Sequence, residues 1–360
     1  MKNRTVKRVL ALAVTAALAG SMVACGGGDG AQSEGSQEET ASQEEAADGA
    51  QSEETADADS GSGESASGET YKIGVIQYMP HTALDASNEG FFAALDDLGI
   101  SYEEDQQNAA GETSTCQTIA QNLASAGNDL IFAIATPAAQ AMAGVTEDIP
   151  IVLTAVTDPA DAGLVESNDA PGGNVTGTSD LTPVADQIAL IKKIFPEAET
   201  VGMLYCSSEA NSIFQINLAK EACDAEGLSY EDYTVSSSNE IQSVVESAVG
   251  KVDVLYSPTD NIIANNMATV SMIANENQLP VICGEEGMVD NGGLITYGID
   301  YYELGYMAGE MAAKILTGES QPAEMPIEYL DASKCSLKVN ADTAEALGLD
   351  AAELETLAQS

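Results

Sequence analysis

The chain has 360 residues, with 58 Asp and Glu against 12 Lys and Arg, a formal net charge of −46. So few basic residues cannot build a face that tracks a phosphate backbone, which excludes nucleic-acid binding. The excess acid reads as a solvated surface, and the length suits one large domain or two medium ones.

The first residues are basic (Lys2, Arg4, Lys7, Arg8), then apolar from Val9 to Val23, then Ala24-Cys25-Gly26. Basic, apolar, small is the order of a secretory signal, and the apolar run is too short to span a bilayer. Met22-Val23-Ala24-Cys25 resembles a bacterial lipobox, which implies cleavage before Cys25 and lipidation of its sulfur, an anchor that does not span. Residues 26–70 are almost entirely Gly, Ser, Ala, Gln, Asp and Glu, with no Lys, Arg or aromatic before Tyr71. Such a segment cannot offset the entropy of ordering and is expected to be a disordered, extended tether.

From Tyr71 onward strands alternate with helices. Runs 72–79, 129–135 and 150–156 read as strands, and 83–98 and 137–145 as helices. A second series follows: strand 201–206, helix 210–226, strand 253–257, helix 261–274, strand 280–284. Continuous apolar strands between helices predict parallel sheets covered on both faces. Gly74-Val-Ile-Gln-Tyr leads to Gly99-Ile-Ser-Tyr-Glu, and Gly202-Met-Leu-Tyr-Cys leads to Gly227-Leu-Ser-Tyr-Glu at the same interval. The expected fold is α/β: two doubly wound parallel-sheet lobes, related by duplication and flanking a cleft.

In such sheets ligands sit beyond the carboxyl ends of the strands. The loops so placed are 77–81, 136–137, 154–158, 207–212, 259–261 and 284–286. They hold Gln77, His81, Thr136, Thr154, Asp158, Ser208, Asn211, Thr259, Asp260, Asn261 and Glu285. His81 is the sole histidine, so neither a catalytic nor a metal site is expected around it, and no cofactor is expected. Cys116, Cys206, Cys223, Cys283 and Cys335 are widely spaced and form no C-x-x-C pair. Cys206 and Cys283 sit in apolar strand-like runs and read as core. No G-x-S-x-G, H-E-x-x-H or Walker-type glycine loop occurs, so no enzyme is expected.

Several stretches at these loops resemble the bacterial ABC-transporter substrate-binding lipoproteins of tryptophan/tyrosine type, which have a type I periplasmic-binding-protein fold. They are AIATPAAQA (133–141), PIVLTAVTDPADAGLV (150–165), PGGNVTG (171–177), LYCSSEANS (204–212), PTDN (258–261) and YGIDYYELG (297–305). The resemblance covers nearly all of 71–340. It implies a monomer held by lipid at the extracytoplasmic face of the cell membrane, capturing a small solute and delivering it to an ABC permease and its ATPase. It also implies three crossings between lobes. Residues 1–24 are then the signal and 25–70 the linker. Lobe one is 71–178 with 294–320, lobe two is 179–293 with 321–340, and 341–360 is a C-terminal helix and tail.

An aromatic amino acid is the leading solute. A nucleoside, a vitamin-like heterocycle or a purely sensory role are the alternatives. With no arginine after Arg8, a ligand carboxylate would rest on helix N-terminal amides and on Thr136, Ser208, Asn211 or Thr259. A ligand ammonium would need Asp158, Asp260, Glu285 or Asp300. Tyr78, Tyr205, Tyr297, Tyr301 and Tyr302 are candidate stacking faces.

Overall fold

A computed structural model describes residues 69–359. The expected signal, Cys25 and all but the end of the expected linker lie outside those residues. Five strands build the first sheet, four of them buried along most of their length and β2 a polar edge: β1 (Thr70–Gln77), β2 (Ser101–Asn108), β3 (Leu130–Ile134), β4 (Ile151–Thr154) and β5 (Val175–Ser179). The second sheet uses β6 (Thr200–Cys206), β7 (Ser229–Val235), β8 (Val254–Ser257), β9 (Val281–Cys283) and β10 (Ile295–Gly298). Each is extended by a late strand, β11 (Glu328–Tyr329) beside β5 and β12 (Ser336–Val339) beside β10. The orders are β11-β5-β4-β3-β1-β2 and β12-β10-β9-β8-β6-β7. Both are the 2-1-3-4-5 doubly wound order. All pairings are parallel except β10 with β12.

The duplication extends to local devices. Asp129 Oδ2 accepts the Lys72 amide at 2.8 Å, and Asp253 Oδ2 accepts the amides of Glu199 and Thr200 at 2.8 and 2.9 Å. One acid thus ties the start of each third strand to the start of its first.

Helices fill the crossovers. On the first lobe these are α1 (Thr82–Asp97), α2 (Thr113–Ser125) and α3 (Thr136–Ala143). On the second they are α4 (Val184–Ile194), α5 (Ala210–Glu226), α6 (Ile241–Ala248), α7 (Asn261–Asn265), α8 (Met267–Glu276) and α9 (Glu286–Asp290). Then come α10 (Tyr301–Leu316), α11 (Ala341–Ala346) and α12 (Ala351–Ala358). Phe91 of α1 stacks on Phe132 of β3 with ring centroids 3.8 Å apart. In the second lobe the buried Tyr256 hydroxyl donates to Gln187 Oε1 at 2.9 Å, while Gln187 Nε2 donates to the carbonyls of Gly284 and Tyr297. That network fixes α4 to three strand ends and leaves this buried amide satisfied.

The lobe boundaries differ from those expected at two places. Residues 295–298 form β10 in the second sheet, not the first lobe, because Ile295 pairs with Ile282 and is fully buried there. The return to the first lobe comes with α10, which lies along α1. Residues 328–329 in turn pair with Thr178 and Ser179 of the first sheet. The crossings therefore fall at 179–184, 298–301 and 329–336. The closing α11 and α12 cover the second lobe, where Ala344, Leu354 and Ala358 join its core.

Candidate functional site

The carboxyl ends of both sheets face each other. Between them lies a narrow cavity of about 10 Å³, room for no more than a water molecule until the lobes part. Its walls are His81, Leu84 and Ala155 from the first lobe, and Thr259, Asp260, Asn261, Ala264 and Glu285 from the second. Asp180 and Tyr301, at two of the crossings, complete it. Larger hollows exist, but the largest is lined by Pro150, Asn174 and Pro322 at the opposite ends of the strands and shares no residue with the cleft. The small cavity is taken as the site because both lobes and the hinge build it.

Three of its walls are carboxyl groups, all buried. Asp260 caps α7: Oδ1 accepts the Ile263 amide at 2.8 Å, and Oδ2 accepts the Cys206 amide at 2.6 Å and the Ser212 hydroxyl at 2.7 Å. Glu285 caps α9 through the amides of Gly287 and Met288, at 2.5 and 2.7 Å. Asp180 caps no helix. It accepts the Thr157 hydroxyl at 3.0 Å and the Tyr301 hydroxyl at 2.8 Å. Behind the wall, buried Glu209 accepts Asn261 Nδ2 at 2.6 Å and the Ile262 amide at 3.1 Å, so it caps α7 a second time.

Burial pushes all four carboxyls upward. Asp180 rises to about 6, against the lowering effect of its two hydroxyl donors. Glu285 rises to about 7, opposed by its two helix amides. Glu209 and Asp260 are raised by burial, and for Glu209 by the Asp260 charge as well. Burial also lowers the pKa of His81, which favours its neutral ring. Among the described residues no group of His, Cys, Asp and Glu is arranged to hold a metal ion.

The lobes touch across the cleft. His81 Nε2 lies 3.1 Å from Asn261 Oδ1. Gln215 Nε2 donates to Thr157 Oγ1 at 3.1 Å, and the hydroxyls of Thr157 and Thr259 are 3.4 Å apart. Ala155, in the cavity wall, has φ +54°, and Ala135, at the start of α3, has φ +80°. Non-glycine residues held there carry backbone strain of the kind concentrated at binding sites.

Of the residues expected from the strand-end rule, the structure brings His81, Thr259, Asp260, Asn261 and Glu285 into the cavity. Gln77 turns back to the Met79 carbonyl and Asp85. Thr154 accepts from Thr178 inside the sheet. Asp158 holds a turn through the amides of Ala160 and Asp161 and through Asn168. Asp300 is exposed and caps α10. Ser208 lies in a separate polar hollow at the mouth of the cleft. Thr136 and Asn211 are buried outside the cavity wall, and Thr136 Oγ1 and Asn211 Oδ1 have no hydrogen-bond partner among the described residues. Among the tyrosines only Tyr301 reaches the cavity; the Tyr297 hydroxyl donates to Ala358 and Tyr302 is exposed. Sequence reasoning missed Asp180. The available signal was its place directly after the Thr-Gly-Thr-Ser strand that enters the second lobe.

Two doubly wound lobes, three crossings and a cavity enclosed by both sheets define a two-lobed solute-binding protein of the periplasmic type. The family described as ABC transporter substrate binding protein matches residues 72–358, and the chain belongs to it. A tyrosine-binding protein of Clostridioides difficile (strain R20291) is 43 % identical over 281 residues, covering 77 % of this chain and 81 % of that one. Among solved structures, an ABC domain in complex with L-Trp from Streptococcus pneumonia has a TM-score of 0.75 at 37 % identity, covering 78 % of this chain and 95 % of that one. A ligand-free, open substrate binding protein with adhesive properties from Clostridium difficile has a TM-score of 0.61 at 45 % identity, with the same coverages. The better match is the less similar sequence, the one solved with its ligand. In this structure side chains of the two lobes meet across the cleft. Membership makes the protein a binder of a small molecule for an ABC transporter, at an extracytoplasmic location.

Proposed function

We propose that the cleft binds a free aromatic amino acid, tyrosine or tryptophan, and hands it to an ABC permease served by its ATPase. The observation that carries this reading is Asp180: a buried cavity carboxyl that, among the described residues, caps no helix and meets no lysine or arginine. A ligand ammonium supplies the missing cation. The N-terminus of α1 has no side-chain cap and opens toward the cavity at His81 and Leu84, which suits the ligand carboxylate. Leu84, Ala155, Ala264 and the Tyr301 ring leave an apolar wall for the ligand's aromatic part. A relative named for tyrosine and a neighbour solved with L-Trp support the same class.

The protein acts on its solute by capture rather than catalysis. It works as a monomer, anchored through lipid on Cys25. Calorimetry with L-tyrosine, L-tryptophan and a nucleoside tests the ligand. Binding of either amino acid is expected. Binding of the nucleoside alone overturns the reading.

A further inference from the structure

We propose that Gln215 is a positioning residue that ties closure of the lobes to Asp180 through a one-way chain of hydrogen bonds. The proposal rests on the reading of Asp180 as the acceptor of the ligand ammonium. Gln215 sits in the middle of α5, fully buried, and does not line the cavity. Its Nε2 donates to Thr259 Oγ1 at 2.6 Å in its own lobe and to Thr157 Oγ1 at 3.1 Å in the other. The Asn211 carbonyl, one helical turn back, shares the same donor at 3.3 Å. Its Oε1 accepts the Thr259 amide at 3.3 Å, which fixes which way the amide points.

The direction of the chain follows from counting protons. An ionised Asp180 only accepts. The single proton of the Thr157 hydroxyl therefore goes to Asp180 Oδ1, at 3.0 Å. Thr157 is left with lone pairs, and lobe two supplies the donors for them: the Gln215 amide, and the Thr259 hydroxyl at 3.4 Å, whose own oxygen is already occupied by Gln215. When the lobes part, Thr157 loses both. Donors in series polarise one another, so closure strengthens the hydroxyl that holds the Asp180 charge. By linkage, a cation on Asp180 favours closure in the same measure. The other cross-cleft pair, His81 with Asn261, sits in the cavity wall and meets ligand directly. Gln215 acts only through Thr157.

The groups facing Asp180 are few. Tyr301 holds its second oxygen, Glu285 and Glu286 lie near that hydroxyl, and Asp260 and His81 share the cavity. Among the described residues none supplies a fixed positive charge, so a ligand ammonium joins the hydroxyl donors in keeping Asp180 ionised.

Gln215→Met removes the donor at similar length. Thr157→Val removes the relay, and Thr157→Ser keeps it. Each variant is measured with L-tyrosine and L-tryptophan by calorimetry between pH 5 and 8, by small-angle scattering and by thermal melting. Wild-type affinity is expected to rise with pH, with a midpoint near the Asp180 value of about 6. Gln215→Met is expected to lower affinity about tenfold, the worth of one hydrogen bond passed to a charge. It is also expected to move the midpoint to higher pH and to leave the liganded protein less compact. Thr157→Val reproduces these changes, and Thr157→Ser retains wild-type behaviour. Wild-type affinity and midpoint in both Gln215→Met and Thr157→Val overturn the proposal. So does an affinity loss that follows melting temperature while the midpoint stays fixed, which marks a merely structural role. If the wild type binds neither amino acid, the ligand reading falls. The chain of hydrogen bonds to Asp180 falls with it, whereas amino-acid binding by the wild type with unaltered Gln215→Met and Thr157→Val overturns the chain alone.

Discussion

Asp180 accepts two side-chain hydroxyls and caps no helix, whereas Glu285 spends both oxygens on helix amides and Asp260 divides its own among a helix amide, the Cys206 amide and the Ser212 hydroxyl. That difference separates acids that look alike in the sequence. Asp180→Asn is expected to weaken binding of L-tyrosine or L-tryptophan by about 2–5 kcal/mol, the cost of stripping one partner from a buried ionic pair. Asp300→Asn and Asp158→Asn change an exposed cap and a turn. They are expected to cost at most about 1 kcal/mol of stability and no affinity. Calorimetry on the three variants decides, and equal losses at all three sites refute the assignment. The raised acids also set a pH dependence. A carboxyl with a higher pKa folded than unfolded binds more protons in the folded state, so stability falls as pH rises between the two values. For Asp180 and Glu285 that window opens near the ordinary value of about 4 and closes at about 6 and about 7. Ligand-free protein is therefore expected to melt lower at pH 7.5 than at pH 5, and Asp180→Asn to flatten part of that slope. At this scale the strand-end rule named His81, Thr259, Asp260, Asn261 and Glu285, which line the cavity proposed as the site, because a loop's position follows from the strand before it. It could not say which acid caps a helix, since that depends on which way the side chain turns. Gln215 was beyond reach, because a glutamine in mid-helix looks like any solvated residue.

Helices α1 and α10 carry the cleft's geometry into the first lobe. One starts at Thr82, directly after His81, and the other at Tyr301, and they lie side by side. Their contact is possible because Gly90 and Gly305 lack side chains. A Cβ on Gly305 would strike the Ser87 carbonyl, and one on Gly90 would strike the Tyr302 carbonyl. Backbone atoms cannot rotate aside as a side-chain tip can. Gly305→Ala is accordingly expected to destabilise the fold by about 1–3 kcal/mol, as overpacking does, despite alanine's better helix propensity. A thermal melt at or above wild type would show that the helices separate at little cost. The central strands were legible as apolar runs because both faces of a parallel sheet are buried. β2 and β7 were not: as edge strands they are largely exposed and carry acids, Glu103 to Asp105 and Glu231 to Asp232, which discourage edge-to-edge pairing. The helix expected over 261–274 divides into α7 and α8 at Asn266. The two crossings misplaced in the sequence reading involve strands of four residues or fewer. Such short strands have too few positions to show which sheet they join.

Over the whole molecule, capture requires the lobes to part and close, and in the structure described here they touch across the cleft. Its cross-cleft bonds are few: His81 with Asn261, and Thr157 with Gln215 and Thr259. So few contacts suit a closure that ligand must complete, because a ligand shifts a two-state equilibrium only by its differential affinity for the two states. If the lobes closed firmly without solute, solute could not enter. If closure added no ligand contact, binding would not drive it. Asp180 and Tyr301 sit at crossings, while Glu285 and His81 sit on opposite lobes, so one small molecule bridges all three parts. Small-angle scattering is expected to show a smaller radius of gyration when L-tyrosine or L-tryptophan is added to the lipid-free protein, and no change with Asp180→Asn at the same concentration. Tight binding without compaction would mean that the cavity forms before the ligand arrives, and hinge closure would then have no part in capture. The same experiment on Cys25→Ser, purified without detergent, removes the anchor from the question. That variant is expected to leave the membrane fraction yet close on ligand as the wild type does, since every residue of the cavity lies at or after His81. Retention in the membrane fraction would place the anchor elsewhere than on Cys25.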